Sequence, residues 1–202
     1  MCIAILTPKG KRVPNDKLFR CWTINDDGGG FAYVDENDKI VVKKGFDKYS
    51  DFQKAYEEAA NLYADASPFL VHMRIRSAGD HGMSNTHPFL IEPSQGPRGA
   101  LIHNGTMFYP VAPYRGEKGD EWSDTRAFAT KLGPILAHKY VASGAKLLER
   151  AIGSSRMAFL YENREYVILN ETGTGNWCDG IWYSNGAHNA STTNYDRQGY
   201  TR

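Results

Sequence analysis

The sequence has few cysteines and almost no net charge, and each shortage excludes a class of protein. Three cysteines in 202 residues, at unrelated spacings, do not form the disulfide framework of a small secreted domain. The 24 basic and 23 acidic residues leave a net charge of +1. A chain so close to neutral lacks the general attraction of a dedicated nucleic-acid binder. We therefore expect no direct binding to nucleic acid.

Long hydrophobic runs are missing as well. The run at the N-terminus, Cys2–Leu6, is too short for the core of a signal peptide or for a membrane span. With 41% hydrophobic residues, the chain has enough apolar side chains to build a core and too little charge for wholesale disorder. We expect a soluble, cytoplasmic protein with one domain at residues 1–185 and no contact with membranes. Residues 186–202 are polar without periodicity and are expected to form a C-terminal tail.

Hydrophobic periodicity predicts strands, then a helix, strands, helices and again strands. The predicted strands are Cys2–Leu6, Phe31–Val34, Lys39–Gly45, Phe69–Arg74, Ala100–Asn104, Met157–Tyr161 and Tyr166–Leu169. The predicted helices are Ser50–Ala64, Ser123–His138 and Ala142–Ile152. This order indicates an α+β fold, because a parallel α/β fold alternates strands and helices regularly.

A cysteine at position 2 has a chemical use if the initiator methionine is removed, which its small side chain permits. Cys2 then carries a thiol and an α-amine whose pKa lies about two units below that of lysine. The amine can take the thiol proton directly or through one water, so no separate histidine base is needed. Taken alone, however, Cys2 is better explained as a small, buried hydrophobic side chain.

Four later segments change that interpretation. They are His72-Met73-Arg74-Ile75-Arg76-Ser77-Ala78-Gly79, Asn85-Thr86-His87-Pro88-Phe89, His103-Asn104-Gly105 and Ser123-Asp124-Thr125. Together with Cys2, and in this order, they resemble the class II glutamine amidotransferase domain, also called the N-terminal-nucleophile glutaminase domain. The resemblance covers roughly residues 2–170. It implies a four-layer αββα sandwich in which two mostly antiparallel sheets pack face to face with helices outside.

The resemblance also implies catalytic roles for three residues. Cys2 would attack the side-chain amide of glutamine and form a thioester. Asn104, through its side-chain amide, and Gly105, through its backbone N–H, match the oxyanion hole of the family. Such donors stabilise the negative charge that develops on the substrate oxygen.

Four further residues are implied to bind the substrate. Arg74 matches the arginine that clamps the α-carboxylate of glutamine, a task suited to a bidentate guanidinium. Asp124 matches the acid that binds the α-ammonium group. Ser77, where the family usually has threonine, would hold the same end of the ligand. His87 belongs to the same set, with structural hydrogen bonding as its simplest role.

The function implied is hydrolysis of the glutamine side-chain amide, with the ammonia supplied to a separate synthase subunit. No cofactor or metal is expected, because the histidines and cysteines lack the spacing of a zinc site. Two alternatives stay open. A stand-alone relative of this kind would hydrolyse larger γ-glutamyl amides without transferring ammonia, and a non-catalytic binding protein would keep the fold alone.

Overall fold

The computed structural model describes residues 2–75, 83–107 and 121–190. The strands in these ranges are β1 Ile3–Thr7, β2 Gly29–Val34, β3 Ile40–Phe46, β4 Phe69–Met73, β5 Phe89–Ile91, β6 Gly99–Asn104, β7 Arg156–Tyr161, β8 Tyr166–Leu169, β9 Asn176–Cys178 and β10 Ile181–Tyr183. The helices are α1 Asn15–Ile24, α2 Tyr49–Tyr63, α3 Asp124–Leu132, α4 His138–Ser143 and α5 Ala145–Ile152. Short 3₁₀ turns cover Met83–Asn85, Gly133–Ile135 and Gly186–Asn189.

The strands form two antiparallel sheets. One sheet has six strands in the order β3-β2-β4-β1-β10-β9, and the other has four in the order β5-β6-β7-β8. Every pairing between these strands is antiparallel. The α+β class predicted from the sequence is therefore confirmed. Because β1 lies between β4 and β10, the N-terminal strand is in the middle of the larger sheet.

Side chains that alternate along the strands divide the buried residues into three clusters. The first joins one face of the six-stranded sheet to α1 and α2 and includes Ile3, Ile5, Trp22, Phe31 and Phe52. The second combines residues of both sheets and includes Ala4, Leu6, Leu70, Ile102 and Leu160. The third joins the four-stranded sheet to the later helices and includes Leu101, Phe128, Val141, Ile152 and Phe159. Strand β1 is buried on both faces, which explains its unbroken apolar sequence.

Two parts of the chain differ from the sequence prediction. The helix expected at 123–138 ends at Leu132, and Pro134 lies in the 3₁₀ turn that follows it, because proline interrupts a regular helix. Residues 186–190, the first part of the expected tail, pack against the fold. His188 is buried there, and its ring stacks on Tyr183 with centroids 3.9 Å apart. Residues 191–202 lie outside the described part of the chain.

Across the described ranges, none of the helices has the length and apolar character needed to cross a membrane.

Candidate active site

Cys2 lies at the end of the six-stranded sheet where β1 begins and β4 ends. The register pairs Ile3 with Met73, so Cys2 comes next to the residues that follow β4. Its Sγ donates to the carbonyl oxygen of Ile75 at 3.1 Å and accepts from the amide of the same residue at 3.4 Å. Burial raises the pKa of the Cys2 thiol, although the Ile75 hydrogen bond and the Arg74 charge act in the opposite direction. The thiol is therefore held neutral here, and a base is needed to activate it.

The glycines at the start of β2 allow the backbone to pass close to this end of the sheet. Gly28 has a φ of +112° and accepts through its carbonyl from the Arg74 amide at 2.8 Å. A Cβ atom at Gly30 would lie 2.3 Å from the carbonyl oxygen of His87. No side chain fits at that distance, so Gly30 brings the His87 segment into direct contact with the sheet.

A small cavity of about 20 Å³, open to solvent, lies beside the thiol. Five of the seven predicted site residues line it: Cys2, Arg74, His87, Gly105 and Asp124. Ser77 lies outside the described residues. Asn104 does not line the cavity but is buried directly before Gly105 at the end of β6. The fold thus gathers residues that are up to 122 positions apart in the sequence around one opening.

In this structure the side-chain nitrogen of Asn104 is hydrogen-bonded within the protein. Nδ2 donates to Oγ of Ser184 at 2.9 Å. Oδ1 is buried and has no hydrogen-bond partner among the described residues. Gly105, which follows, has a φ of +144°, and a Cβ there would lie 2.3 Å from Oγ of Ser155. Only glycine therefore fits at position 105.

Asp124 begins helix α3, and the hydroxyl of the capping residue before it, Ser123, accepts from the Arg126 amide at 3.1 Å. The carboxylate of Asp124 accepts from the amides of Met107 and Thr125, each at 2.7 Å. A negative charge is favoured at a helix N-terminus. These contacts hold a carboxylate at the wall of the cavity, while Arg74, directly after β4, supplies a positive charge.

Three buried histidines lie at the cavity: His87 and His103 line it, and His72 packs against His87. The ring of His72 is 4.0 Å from that of His87, and its Nε2 lies 2.9 Å from the carbonyl oxygen of His103. Nδ1 of His103 lies 2.8 Å from the hydroxyl of Thr125. Burial lowers the pKa of His72 to about 3 and that of His103 to about 4. Burial also lowers the pKa of His87 well below its usual value, so all three rings are neutral near pH 7.

These histidines do not form a metal site. In the part of the chain that the structure describes, no group of three or more His, Cys, Asp or Glu side chains could hold a metal ion. Both ring nitrogens of His87 lack a partner among the same residues. Because His87 lines the cavity, its ring can offer a neutral donor or acceptor to a ligand.

Sequence reasoning missed two residues that hydrogen-bond to the start of the chain at Cys2 and Ala4. Ser184 follows β10, and its Oγ accepts from the Ala4 amide at 2.9 Å. The next residue, Asn185, donates through Nδ2 to the carbonyl oxygen of Cys2 at 2.8 Å. The only signal in the sequence is a pair of small polar residues directly after the aromatic run Ile181–Tyr183.

Neither a protein-family model nor a curated protein matches the chain. Among solved structures, it is similar to glutamine phosphoribosylpyrophosphate amidotransferase from B. subtilis in complex with ADP and GMP, with a TM-score of 0.55 and 15% sequence identity. The match covers 91% of this chain and 41% of that one. The chain thus spans less than half of that protein. At this level of identity the similarity concerns the fold, which the two proteins share over nearly all of the chain described here.

Proposed function

We propose that this protein hydrolyses the side-chain amide of glutamine through a thioester on Cys2. The observation that carries the proposal is the cavity, where a thiol, an arginine, a carboxylate and a glycine meet. The shared fold supports it, since the similar structure is a glutamine amidotransferase by its description. We also infer a four-layer αββα sandwich of the N-terminal-nucleophile type, because the three buried clusters alternate with the helices and the two sheets.

The reaction begins with the proton of the thiol. In the proposal, removal of Met1 frees the α-amine of Cys2. None of the described hydrogen bonds joins the Cys2 sulfur to a histidine, and its partner is the Ile75 backbone. The α-amine is therefore the base that takes the thiol proton, and the resulting thiolate attacks the amide carbon of glutamine.

The tetrahedral intermediate carries its negative charge on the former carbonyl oxygen. The amide of Gly105 and the side chain of Asn104 are the proposed donors to that oxygen. The intermediate collapses as the carbon–nitrogen bond breaks, and the proton held by the α-amine leaves with the ammonia. Water then cleaves the thioester, which gives glutamate and the free thiol.

Substrate recognition uses charge of both signs. The α-carboxylate of glutamine matches the guanidinium of Arg74, and its α-ammonium group matches the carboxylate of Asp124. His87 and Ser77 complete the proposed binding residues. We further propose that a separate synthase subunit takes up the ammonia.

Glutamate release by the purified protein tests the proposal. We expect wild type to convert glutamine to glutamate and Cys2→Ala to be inactive. Cys178→Ala is the matched control, because Cys178 is also half-buried but lies on β9, away from the cavity. Faster hydrolysis of larger γ-glutamyl amides than of glutamine would make these amides the substrate in place of glutamine. Equal activity of wild type and Cys2→Ala would contradict the mechanism.

A further inference from the structure

The hydrogen bond between Asn104 and Ser184 uses Nδ2 of Asn104, which the proposed reaction needs as a donor to the oxyanion. Both side chains are buried. Oγ of Ser184 accepts from the Ala4 amide and from Nδ2 of Asn104, each at 2.9 Å. Oδ1 of Asn104 has no partner among the described residues. A buried acceptor without a partner is unfavourable, so this arrangement leaves the amide poorly satisfied.

A half-turn of the Asn104 amide about χ2 exchanges its oxygen and its nitrogen. In the turned orientation, the hydroxyl of Ser184 donates to Oδ1 and still accepts from the Ala4 amide. Nδ2 then stands at the buried position of Oδ1, which has no hydrogen-bond partner among the described residues. Serine can support either orientation because a hydroxyl both donates and accepts.

We propose that Ser184 is a positioning residue that holds Asn104 in the turned orientation, with Nδ2 directed to the oxyanion. The inference rests on the proposed function, since the oxyanion forms only in that reaction. Ser184 also accepts from Ala4 and donates its own amide to the Ala4 carbonyl oxygen at 2.9 Å. One side chain thereby fixes the oxyanion donor relative to the strand that carries the nucleophile.

Ser184→Ala tests the inference, with Ser67→Ala as its matched control. Ser67 is also buried, and its Oγ accepts from the Val34 amide at 2.9 Å and donates to the Pro68 carbonyl oxygen at 2.7 Å. It precedes β4, at the end of the sheet opposite Cys2. Removal of an oxyanion donor commonly lowers kcat by about 10²–10³-fold. We expect Ser184→Ala to lose at least about 10-fold in kcat with little change in KM, and Ser67→Ala to keep the wild-type kcat.

Two further readouts separate positioning from a general structural effect. Alkylation of Cys2 by iodoacetamide forms a carbon–sulfur bond, releases iodide and develops no oxyanion, so Ser184→Ala should leave its rate unchanged. In an Asn104→Ala background, Ser184→Ala should cause no further loss of kcat, because the residue acts through Asn104. If Ser184→Ala does not fold, Ser184→Thr and Ser184→Val form a substitute pair of equal size. The threonine variant should then be at least about 10-fold faster, since it alone keeps the hydroxyl.

The outcomes distinguish this inference from the proposed function. An inactive wild type would overturn both. An active wild type with an inactive Cys2→Ala would leave the function standing. In that case, equal kcat for Ser184→Ala and Ser67→Ala, or a parallel loss of alkylation, would overturn the role of Ser184 alone.

Discussion

Replacement of Asp124 by asparagine tests the proposed recognition of the amino-acid end of glutamine. The substitution keeps the shape of the side chain and removes its negative charge. A hydrogen bond between charged groups contributes about 1.5–3 kcal/mol, so loss of the pairing with an α-ammonium group should lower kcat/KM for glutamine by about 10- to 150-fold. The effect should be mainly in KM, because the group lies far along the substrate from the reacting amide.

The substitution should also lower the stability of the protein, independently of substrate binding. The two oxygens of Asp124 accept from the Met107 and Thr125 amides, whereas asparagine has one acceptor oxygen. One of these amides loses its partner, which should lower the free energy of unfolding by about 1 kcal/mol. Urea unfolding measures this part separately.

The decisive assay compares glutamine with 4-carbamoylbutanoate, which has hydrogen in place of the α-ammonium group. We expect Asp124→Asn to lose activity toward glutamine and to keep the wild-type kcat/KM toward 4-carbamoylbutanoate. Asp51→Asn, which removes a carboxylate from the first turn of α2, serves as the control and should affect neither substrate. An equal loss toward both substrates would refute the reasoning, because Asp124 would then act through its bonds to the Met107 and Thr125 amides rather than on the ammonium group.

Three further predictions concern binding, positioning and pH. Arg74→Lys should raise KM for glutamine about 10-fold in steady-state assays, because a lysine cannot form two parallel bonds to a carboxylate; a loss confined to kcat would contradict this. Asn185→Ala removes the donor to the Cys2 carbonyl and should lower the free energy of urea unfolding by about 1 kcal/mol; unchanged stability would exclude that contribution. Burial holds the pKa of His72 at about 3 and of His103 at about 4, so below about pH 6.5 the unfolded chain binds protons that the folded chain does not. Stability should fall by about 1.4 kcal/mol per pH unit for each histidine between pH 6 and 4, and a flat profile would contradict the burial.

The strands were predictable where an apolar run ends at turn residues. The strand expected at Phe69–Arg74 is found at Phe69–Met73, and the hairpin at Met157–Tyr161 and Tyr166–Leu169 is found almost unchanged. Helix α1 was missed because Pro14, the residue before it, makes no side-chain cap. Its buried residues Leu18, Cys21 and Trp22 do recur at helical spacing, but the helix has only ten residues, so its stability comes from packing against the sheet.

The site was predictable to the extent that its residues occur in short segments. The motifs identified the residues that line the cavity, but they contain no information on the direction of the Asn104 amide. That direction depends on Ser184, which is 80 residues away in the sequence. Asn185 and Cys2 are likewise 183 residues apart. The Asn185 contact follows from the pairing of β1 with β10, and the Asn104 contact joins the end of β6 in one sheet to the end of β10 in the other. Periodicity along the chain does not reveal either of them.

The most direct test of the account is the site of covalent labelling by an electrophilic analogue of glutamine, such as its diazoketone. Peptide mass spectrometry should find one adduct, on Cys2 as the N-terminal residue with Met1 removed, and glutamine should protect against it. Cys21 and Cys178 should stay unlabelled. Labelling at either of these two cysteines with Cys2 free, or a Cys2 that still carries Met1 in the active protein, would contradict the proposed nucleophile and its base.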